Sequence, residues 1–178
     1  MPTSGLTGAD CWGEDDNARH YDAFARQHPM YRQTSRDLIA LARPSNDGAV
    51  LDVACGTGAT TGEVLAVLGP DGRVIGVDGS AAMLAVAAQT IADLRVAWIQ
   101  ARAEELDQHV TELVDAVICN SAIWQTDLAS TAAAVGKVTA VGGRFVFNVG
   151  SDFLEQGHRP DERPLLSGVM QAIAAACC

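Results

Sequence analysis

Residues 51–58 read LDVACGTG, an apolar run that ends in two glycines separated by a threonine. The run begins at Ala49 and is almost continuously apolar, which is typical of a strand that is buried on both faces of a sheet. Gly56 and Gly58 allow a sharp turn and let a ligand approach the backbone, and N–H groups at the start of the following helix can bind polar groups. The stretch therefore predicts a strand–turn–helix unit with a ligand site at its turn.

An acidic residue follows at the spacing of a nucleotide site. Asp78 lies 20 residues after Gly58, at the end of the next predicted strand, where a carboxylate can accept both hydroxyls of a ribose. A glycine pair alone also occurs in turns that bind nothing, and a lone loop aspartate is commonly solvated. Their joint occurrence favours a site for a nucleotide-like cofactor.

The glycine loop departs from the dinucleotide-binding fingerprint. Residues 56–62 read GTGATTG, with Thr61 where G-x-G-x-x-G has its third glycine, and a bulky side chain there hinders a pyrophosphate at the helix start. The two tyrosines, Tyr21 and Tyr31, precede the loop, so the chain has no Tyr-x-x-x-Lys dehydrogenase pair. An NAD(P)-binding oxidoreductase is therefore the alternative hypothesis.

Charge and cysteine spacing argue against several classes of function. The chain of 178 residues has a formal net charge of −10, which opposes the binding of polyanions such as nucleic acids. No apolar run approaches the roughly 20 residues that span a bilayer, and the N-terminus lacks the basic and apolar regions of a secretory signal. The five cysteines have no C-x-x-C spacing, which argues against a disulfide framework and a metal site. We therefore expect a cytoplasmic protein with no metal, no membrane and no nucleic-acid partner.

Strand and helix patterns alternate along the chain. Ser80 and Asp127 are predicted helix N-caps, and Gly142-Gly143 is a predicted turn before the last strand. Strands separated by helices form right-handed βαβ units, so the pattern predicts a doubly wound α/β fold with a parallel sheet. The predicted strands are 49–54, 73–78, 96–100, 114–119 and 144–149, and the predicted helices are 17–27, 30–42, 61–68, 81–92, 104–109, 128–139 and 164–176.

Five segments together resemble the class I S-adenosylmethionine-dependent methyltransferases of the small-molecule type. They are VLDVACGTG at 50–58, VIGVDGSAAML at 74–84, ARAEEL at 101–106, DAVICNSAIW at 115–124 and VGGRFVFNV at 141–149. The resemblance implies a Rossmann-like, mostly parallel sheet with helices on both faces. It also implies S-adenosylmethionine as the methyl donor, S-adenosylhomocysteine as a product, and a small-molecule acceptor.

The resemblance implies cofactor-binding roles for twelve positions. Asp52 would organise the glycine loop and reach the amino group of the cofactor, directly or through water. Asp78 would hold the ribose hydroxyls, Asn120 would close over the methionine end, and Tyr21 resembles the lid tyrosine of many relatives. The other eight are Ala54, Gly56 and Gly58, which leave room for methionine and ribose, Gly79, Ser80 and Met83, which pack around the adenine, and Ala103 and Glu104, which meet its edge.

The chain departs from the family pattern in two places that bear on chemistry. Arg102 stands where relatives often have an aspartate that accepts from the adenine amino group, and a guanidinium cannot accept. No Asn/Asp-Pro-Pro-Tyr motif follows the fourth strand, so methylation of adenine or glutamine amino groups is not supported. No spacing singles out a catalytic base among the histidines, and the aromatic candidates to line an acceptor pocket are Trp12, Trp124 and Phe153.

The expected organisation is a flexible segment 1–16, followed by one methyltransferase-like domain, 17–178. Within it we expect a helical lid at 17–43, the sheet core at 49–149 and a C-terminal helix at 164–176. Relatives continue further, so the last strands of the seven-stranded family sheet are expected to be missing, which leaves 144–149 as an uncovered apolar edge. Such an edge favours a homo-oligomer, and it keeps open a second alternative, a non-catalytic module that binds cofactor or a partner.

Overall fold

The computed structural model describes residues 15–149, in which helices and strands alternate. The predicted helix 164–176 and the segment 1–14 lie outside the described residues. The helices are α1 (Asp15–Gln27), α2 (Pro29–Ala42), α3 (Ala59–Leu65), α4 (Ala81–Thr90), α5 (Leu106–His109) and α6 (Leu128–Val138). The strands are β1 (Ala49–Val53), β2 (Arg73–Asp78), β3 (Val96–Gln100), β4 (Val114–Cys119) and β5 (Thr139–Phe147), and short 3₁₀ turns lie at Ala103–Glu105 and Ile123–Gln125.

The five strands form one parallel sheet in the order β3-β2-β1-β4-β5. The chain builds outward from β1 to β3 and then crosses to β4, so strand order reverses between β1 and β4. This confirms the predicted doubly wound α/β fold. It also locates the reversal, at whose carboxyl edge such sheets bind ligands.

Alternating side chains of β1 pack on opposite faces of the sheet. Leu51 and Val53 join a buried cluster that includes Leu106 of α5 and Val135 of α6. Val50 joins a second cluster with residues of α2 and α3. Helices therefore cover both faces, which explains why β1 is apolar at almost every position.

Both predicted N-caps are confirmed by their hydrogen bonds. The Ser80 hydroxyl accepts from the backbone N–H of Met83 at 3.2 Å, and the Asp127 carboxylate accepts from that of Ser130 at 2.8 Å. Each bond satisfies an N–H at a helix start that has no partner within its helix. These caps fix where α4 and α6 begin, directly beside the ends of β2 and the loop after β4.

The last described strand corrects the predicted boundary. Thr139, immediately after α6, already pairs with Val114 of β4, whereas Arg144 pairs with Ala116. The extra residues form an irregularity within β5, and Gly142 absorbs it at φ +83°. Gly142-Gly143 is therefore a bulge inside the strand and not a turn before it. In the described sheet β5 pairs only with β4, and association through its other edge stays a prediction.

No helix among the described residues is long and apolar enough to cross a membrane. No group of three or more His, Cys, Asp or Glu side chains within residues 15–149 is arranged to hold a metal ion.

Candidate functional site

A cleft of about 550 Å³ opens at the carboxyl ends of the parallel strands. Strands β1 to β4 each contribute residues at or just beyond their ends, which are Ala54, Asp78, Ala101 and Asn120. Tyr21, from α1, also lines the cleft. Ten of the twelve predicted positions line this cleft, and the two that do not are Asp52 and Gly58. The ten are Tyr21, Ala54, Gly56, Asp78, Gly79, Ser80, Met83, Ala103, Glu104 and Asn120.

Glycine is needed at the two loop positions, 56 and 58, for different physical reasons. Gly56, at φ +54°, borders the cleft, and a Cβ there would lie 3.7 Å from a ring carbon of Tyr21. Gly58, at φ +86°, starts α3, and a Cβ there would lie 2.8 Å from Ile91 and 3.1 Å from Trp98. Gly58 is thus required by its backbone conformation and by packing against neighbouring side chains. Only Gly56 leaves space on the cleft side.

Asp78 is held in place by two backbone donors. One carboxylate oxygen accepts from the N–H of Gly56 and the other from the N–H of Ser80, both at 2.8 Å. Burial raises the pKa of Asp78, and the two backbone donors oppose that shift. Each carboxylate oxygen has a further lone pair, so the group can still accept from ligand hydroxyls at the cleft.

Asp52 lies behind the glycine loop, on β1, and is 1% exposed. Its carboxylate accepts from the Thr61 hydroxyl at 2.6 Å. Thr61, the residue that breaks the dinucleotide pattern, thus serves as the partner of a buried carboxylate. Burial raises the pKa of Asp52 to about 7; nearby Asp78 adds to this shift and the Thr61 hydrogen bond opposes it. Asp52 is therefore a titrating group directly beneath the turn.

The burial of Asp52 predicts that the free energy of unfolding falls as the pH rises from acid to neutral. Because the pKa of Asp52 is raised from 3.8 to about 7 on folding, its contribution is complete below about pH 4 and is lost as pH rises through about 7. Three pKa units correspond to on the order of 4 kcal/mol as an upper bound. We expect Asp52→Asn to raise the free energy of unfolding at pH 8 by about 1–3 kcal/mol, and by much less at pH 5.

Urea unfolding of the ligand-free protein at the two pH values measures this difference. Asp71→Asn is the matched control, because Asp71 is exposed in the turn before β2. An equal effect of Asp52→Asn at both pH values would contradict the assignment of the shift to Asp52.

The end of the cleft after β3 holds an ion pair that the sequence left undecided. Arg102 is 70% exposed and its Nε lies 3.2 Å from a Glu104 carboxylate oxygen. The other carboxylate oxygen of Glu104 accepts from the backbone N–H of Asp127 at 2.8 Å. Arg102 therefore extends towards solvent, and Glu104 is the oriented acceptor at this end.

Asn120 ties the loop after β4 to two helices. Its side-chain amide donates to the Ser35 hydroxyl of α2 at 3.1 Å and to the Thr60 hydroxyl of α3 at 3.2 Å. Ser35 and Thr60 were not predicted, because partners 85 and 60 residues away from Asn120 leave no local pattern. The loop after β4, helix α2 and helix α3 after the glycine loop are thus joined at one end of the cleft.

Asn148 is a third residue that the sequence did not predict. Ser121 has φ +58°, an uncommon conformation for a residue with a side chain. The Asn148 side chain accepts from the Ser121 N–H at 2.5 Å and donates to the Ser121 hydroxyl at 3.1 Å. The end of β5 therefore stabilises the conformation of a cleft-lining residue after β4.

Two tyrosines, one from α1 and one from α2, line the cleft with their rings in contact. The rings of Tyr21 and Tyr31 meet edge to face, with centroids 6.3 Å apart. Burial raises the pKa of Tyr21 to about 12, with smaller contributions from Tyr31, Asp78 and Asp52, so its hydroxyl stays neutral near pH 7. A ring carbon of Tyr21 lies close to Gly56, and its role as a lid stays a prediction. Tyr31 also lines the cleft and was not predicted as a site residue.

Comparisons with known sequences agree with this geometry. The sequence profile of the methyltransferase domain family matches residues 50–143, just over half of the chain. The chain is 38% identical over 80 residues to demethylmenaquinone methyltransferase of Symbiobacterium thermophilum, covering 44% of this chain and 32% of that protein. It is 30% identical over 128 residues to trans-aconitate 2-methyltransferase of Azoarcus sp., covering 71% and 49%. The chain thus spans about a third to a half of the length of these relatives.

Solved structures show the same fold. A structure from Methanococcus maripaludis, provisionally assigned as an S-adenosyl-L-methionine-dependent methyltransferase, matches with a TM-score of 0.66 and 16% identity, over 93% of this chain and 78% of that one. TrmN from Thermus thermophilus matches with a TM-score of 0.59 and 21% identity, over 74% and 42%. Since the matched profile also covers β1, the glycine loop, β2 and β4, the chain belongs to the class I S-adenosylmethionine-dependent methyltransferase family.

Proposed function

We propose that this chain binds S-adenosylmethionine in the cleft after β1–β4 and transfers its methyl group to a small-molecule acceptor. The observation that carries the proposal is the position of Asp78, which two backbone N–H groups orient at 2.8 Å beside the open cleft. A carboxylate so held can accept from ribose hydroxyls without first being ordered. The reaction itself needs an aligned nucleophile and methyl group more than it needs a specialised catalytic side chain.

The residues present fit this cofactor along the carboxyl edge of the sheet. Gly56 leaves space on the cleft side of the loop, where a larger residue would approach Tyr21. The carboxyl group of Asp78 and that of Glu104 line the cleft and outnumber its one basic side chain, which favours a ligand with a sulfonium and an ammonium group. The bound cofactor supplies an electrophilic methyl group. The role of the chain would be to hold it, with Met83 and Ala103 against the purine and Asn120 near the methionine end.

Charge supports a small molecule over a nucleic acid as the acceptor. The net charge of −10 opposes a polyanion, and Arg102 is the one basic side chain among the described residues that line the cleft. The two curated relatives are named for small acceptors, demethylmenaquinone and trans-aconitate. A cytoplasmic location is part of the same proposal.

Calorimetric titration of the full chain tests the choice of cofactor. We expect S-adenosylmethionine and S-adenosylhomocysteine to bind at least about tenfold more tightly than NAD or NADP, a difference of ~1.4 kcal/mol or more. Tighter binding of NAD(P) would favour the oxidoreductase alternative and contradict the proposal. If S-adenosylmethionine binds but no acceptor in a broad panel yields S-adenosylhomocysteine, the chain is a binding module instead.

A further inference from the structure

The end of the cleft beside β4 carries two aromatic side chains. Trp124, in the 3₁₀ turn after β4, is 56% exposed, and its indole N–H donates to the Ser121 carbonyl at 3.1 Å. This bond holds the edge of the indole and satisfies its donor, and the exposure of the residue leaves part of the ring open to a stacking ligand. Trp124 is thus an anchored aromatic surface that lines the cleft.

Tyr31 belongs to the same end of the cleft. Its backbone carbonyl accepts from the hydroxyls of Thr34 and Ser35, at 3.0 and 2.9 Å. The same two hydroxyls lie within 3.4 and 3.1 Å of the Asn120 side-chain amide. Hydrogen bonds therefore connect Tyr31 to Asn120, while Trp124 is bonded to the neighbouring Ser121. Both residues line the cleft, and the Tyr31 ring also lies edge to face with that of Tyr21.

The charged side chains of the cleft bear on whether the acceptor can be an anion. Among the described lining residues the charged side chains are Asp78, Glu104 and Arg102. Arg102, the one basic side chain among them, is 70% exposed and is paired with Glu104, whose other carboxylate oxygen accepts from the backbone N–H of Asp127. An anionic acceptor at the β4 end would therefore find no unpaired cation among these residues. Burying a charge without a partner is unfavourable, whereas an uncharged ring can stack.

The titratable groups of the cleft further limit the chemical class of the acceptor. The described lining residues include no histidine, and burial raises the pKa of Tyr21, one of the two tyrosines among them, to about 12. An acceptor with an acidic hydroxyl needs no strong base. Phenolic hydroxyls, with pKa values near about 10, lose a proton to water far more readily than aliphatic alcohols do.

We propose that the acceptor of this site is an uncharged aromatic compound with a ring hydroxyl, which stacks on Trp124 and Tyr31; this rests on the methyl transfer proposed above. The hydroxyl oxygen attacks the methyl carbon, the C–O bond forms as the C–S bond breaks, and the sulfur keeps the electron pair as a neutral thioether. The hydroxyl proton passes to water at the cleft mouth. The product is an aryl methyl ether.

A matched pair of ligands tests this assignment by binding alone. 1-Naphthol and 1-naphthoate share one ring system and differ in charge, and each is titrated against the full chain with and without S-adenosylhomocysteine. We expect naphthol to bind at least about tenfold more tightly than naphthoate. Trp124→Ala should weaken naphthol binding by about fivefold or more and leave the affinity for S-adenosylhomocysteine within about twofold. Leu113→Ala, which removes an exposed apolar side chain just before β4, is the control and should change neither.

Three outcomes would overturn the proposal: naphthoate binds as tightly as naphthol, neither ligand binds, or Trp124→Ala leaves naphthol binding unchanged. Failure of the proposed function would give a different result, namely that the chain does not bind S-adenosylhomocysteine. In that case the titration without it still decides whether the cleft prefers an uncharged ring.

Discussion

Replacing Asp78 with alanine should weaken S-adenosylmethionine binding by about 2–4 kcal/mol, roughly 30- to 1000-fold. The substitution removes a charged acceptor for the ribose hydroxyls in a partly buried site. It also leaves the N–H groups of Gly56 and Ser80 without the partner they have at 2.8 Å, so the loop loses its order before the ligand arrives. Calorimetric titration measures the affinity, and urea unfolding separates it from any loss of stability.

Two companion variants sharpen the Asp78 experiment. Asp78→Asn keeps one acceptor oxygen but no charge, and it should fall between the wild type and Asp78→Ala. Asp71→Ala removes an exposed carboxylate from the turn before β2 and should leave the affinity unchanged, which excludes a general effect of charge. If Asp78→Ala bound S-adenosylmethionine with unchanged affinity, the proposal that Asp78 holds the ribose would be wrong.

Replacing Gly56 with valine should abolish detectable S-adenosylmethionine binding while the chain stays folded. The side chain would project towards Tyr21 into the space that the proposed ligand occupies. Gly56 also has φ +54°, so a β-branched residue adds backbone strain of about 1–2 kcal/mol. Circular dichroism reports the fold, and titration reports the binding.

A second glycine separates strain from occlusion. Gly142 has φ +83° in the β5 bulge, and a Cβ there meets nothing within 4 Å. Gly142→Val should therefore lose a similar amount of stability without losing affinity. If both variants bind normally, Gly56 serves the turn alone. If both lose binding equally, the loss at Gly56 comes from strain and not from occupation of the site.

Much of this protein could be predicted from local patterns. The apolar run of β1, the caps at Ser80 and Asp127 and the alternation of strands with helices each depend on residues a few positions apart, and the structure confirms them. The spacing between the glycine loop and Asp78 is also a local feature, because both lie within one βαβ unit. These features are local, so the sequence by itself determined the sheet, its direction and the edge where the cleft lies.

Only the tertiary structure decided which side chains meet at that edge. It placed Gly58 against Trp98, turned Arg102 to solvent, joined Asn120 to Ser35 and Thr60, and set Asn148 against Ser121. Most of these partners lie tens of residues apart and come together only when the crossovers close, and the direction of an exposed side chain such as Arg102 depends on the packing around it. Residue type and spacing set which chemistry is present at each strand end, whereas packing decides which groups face the ligand and which are used to hold the loops.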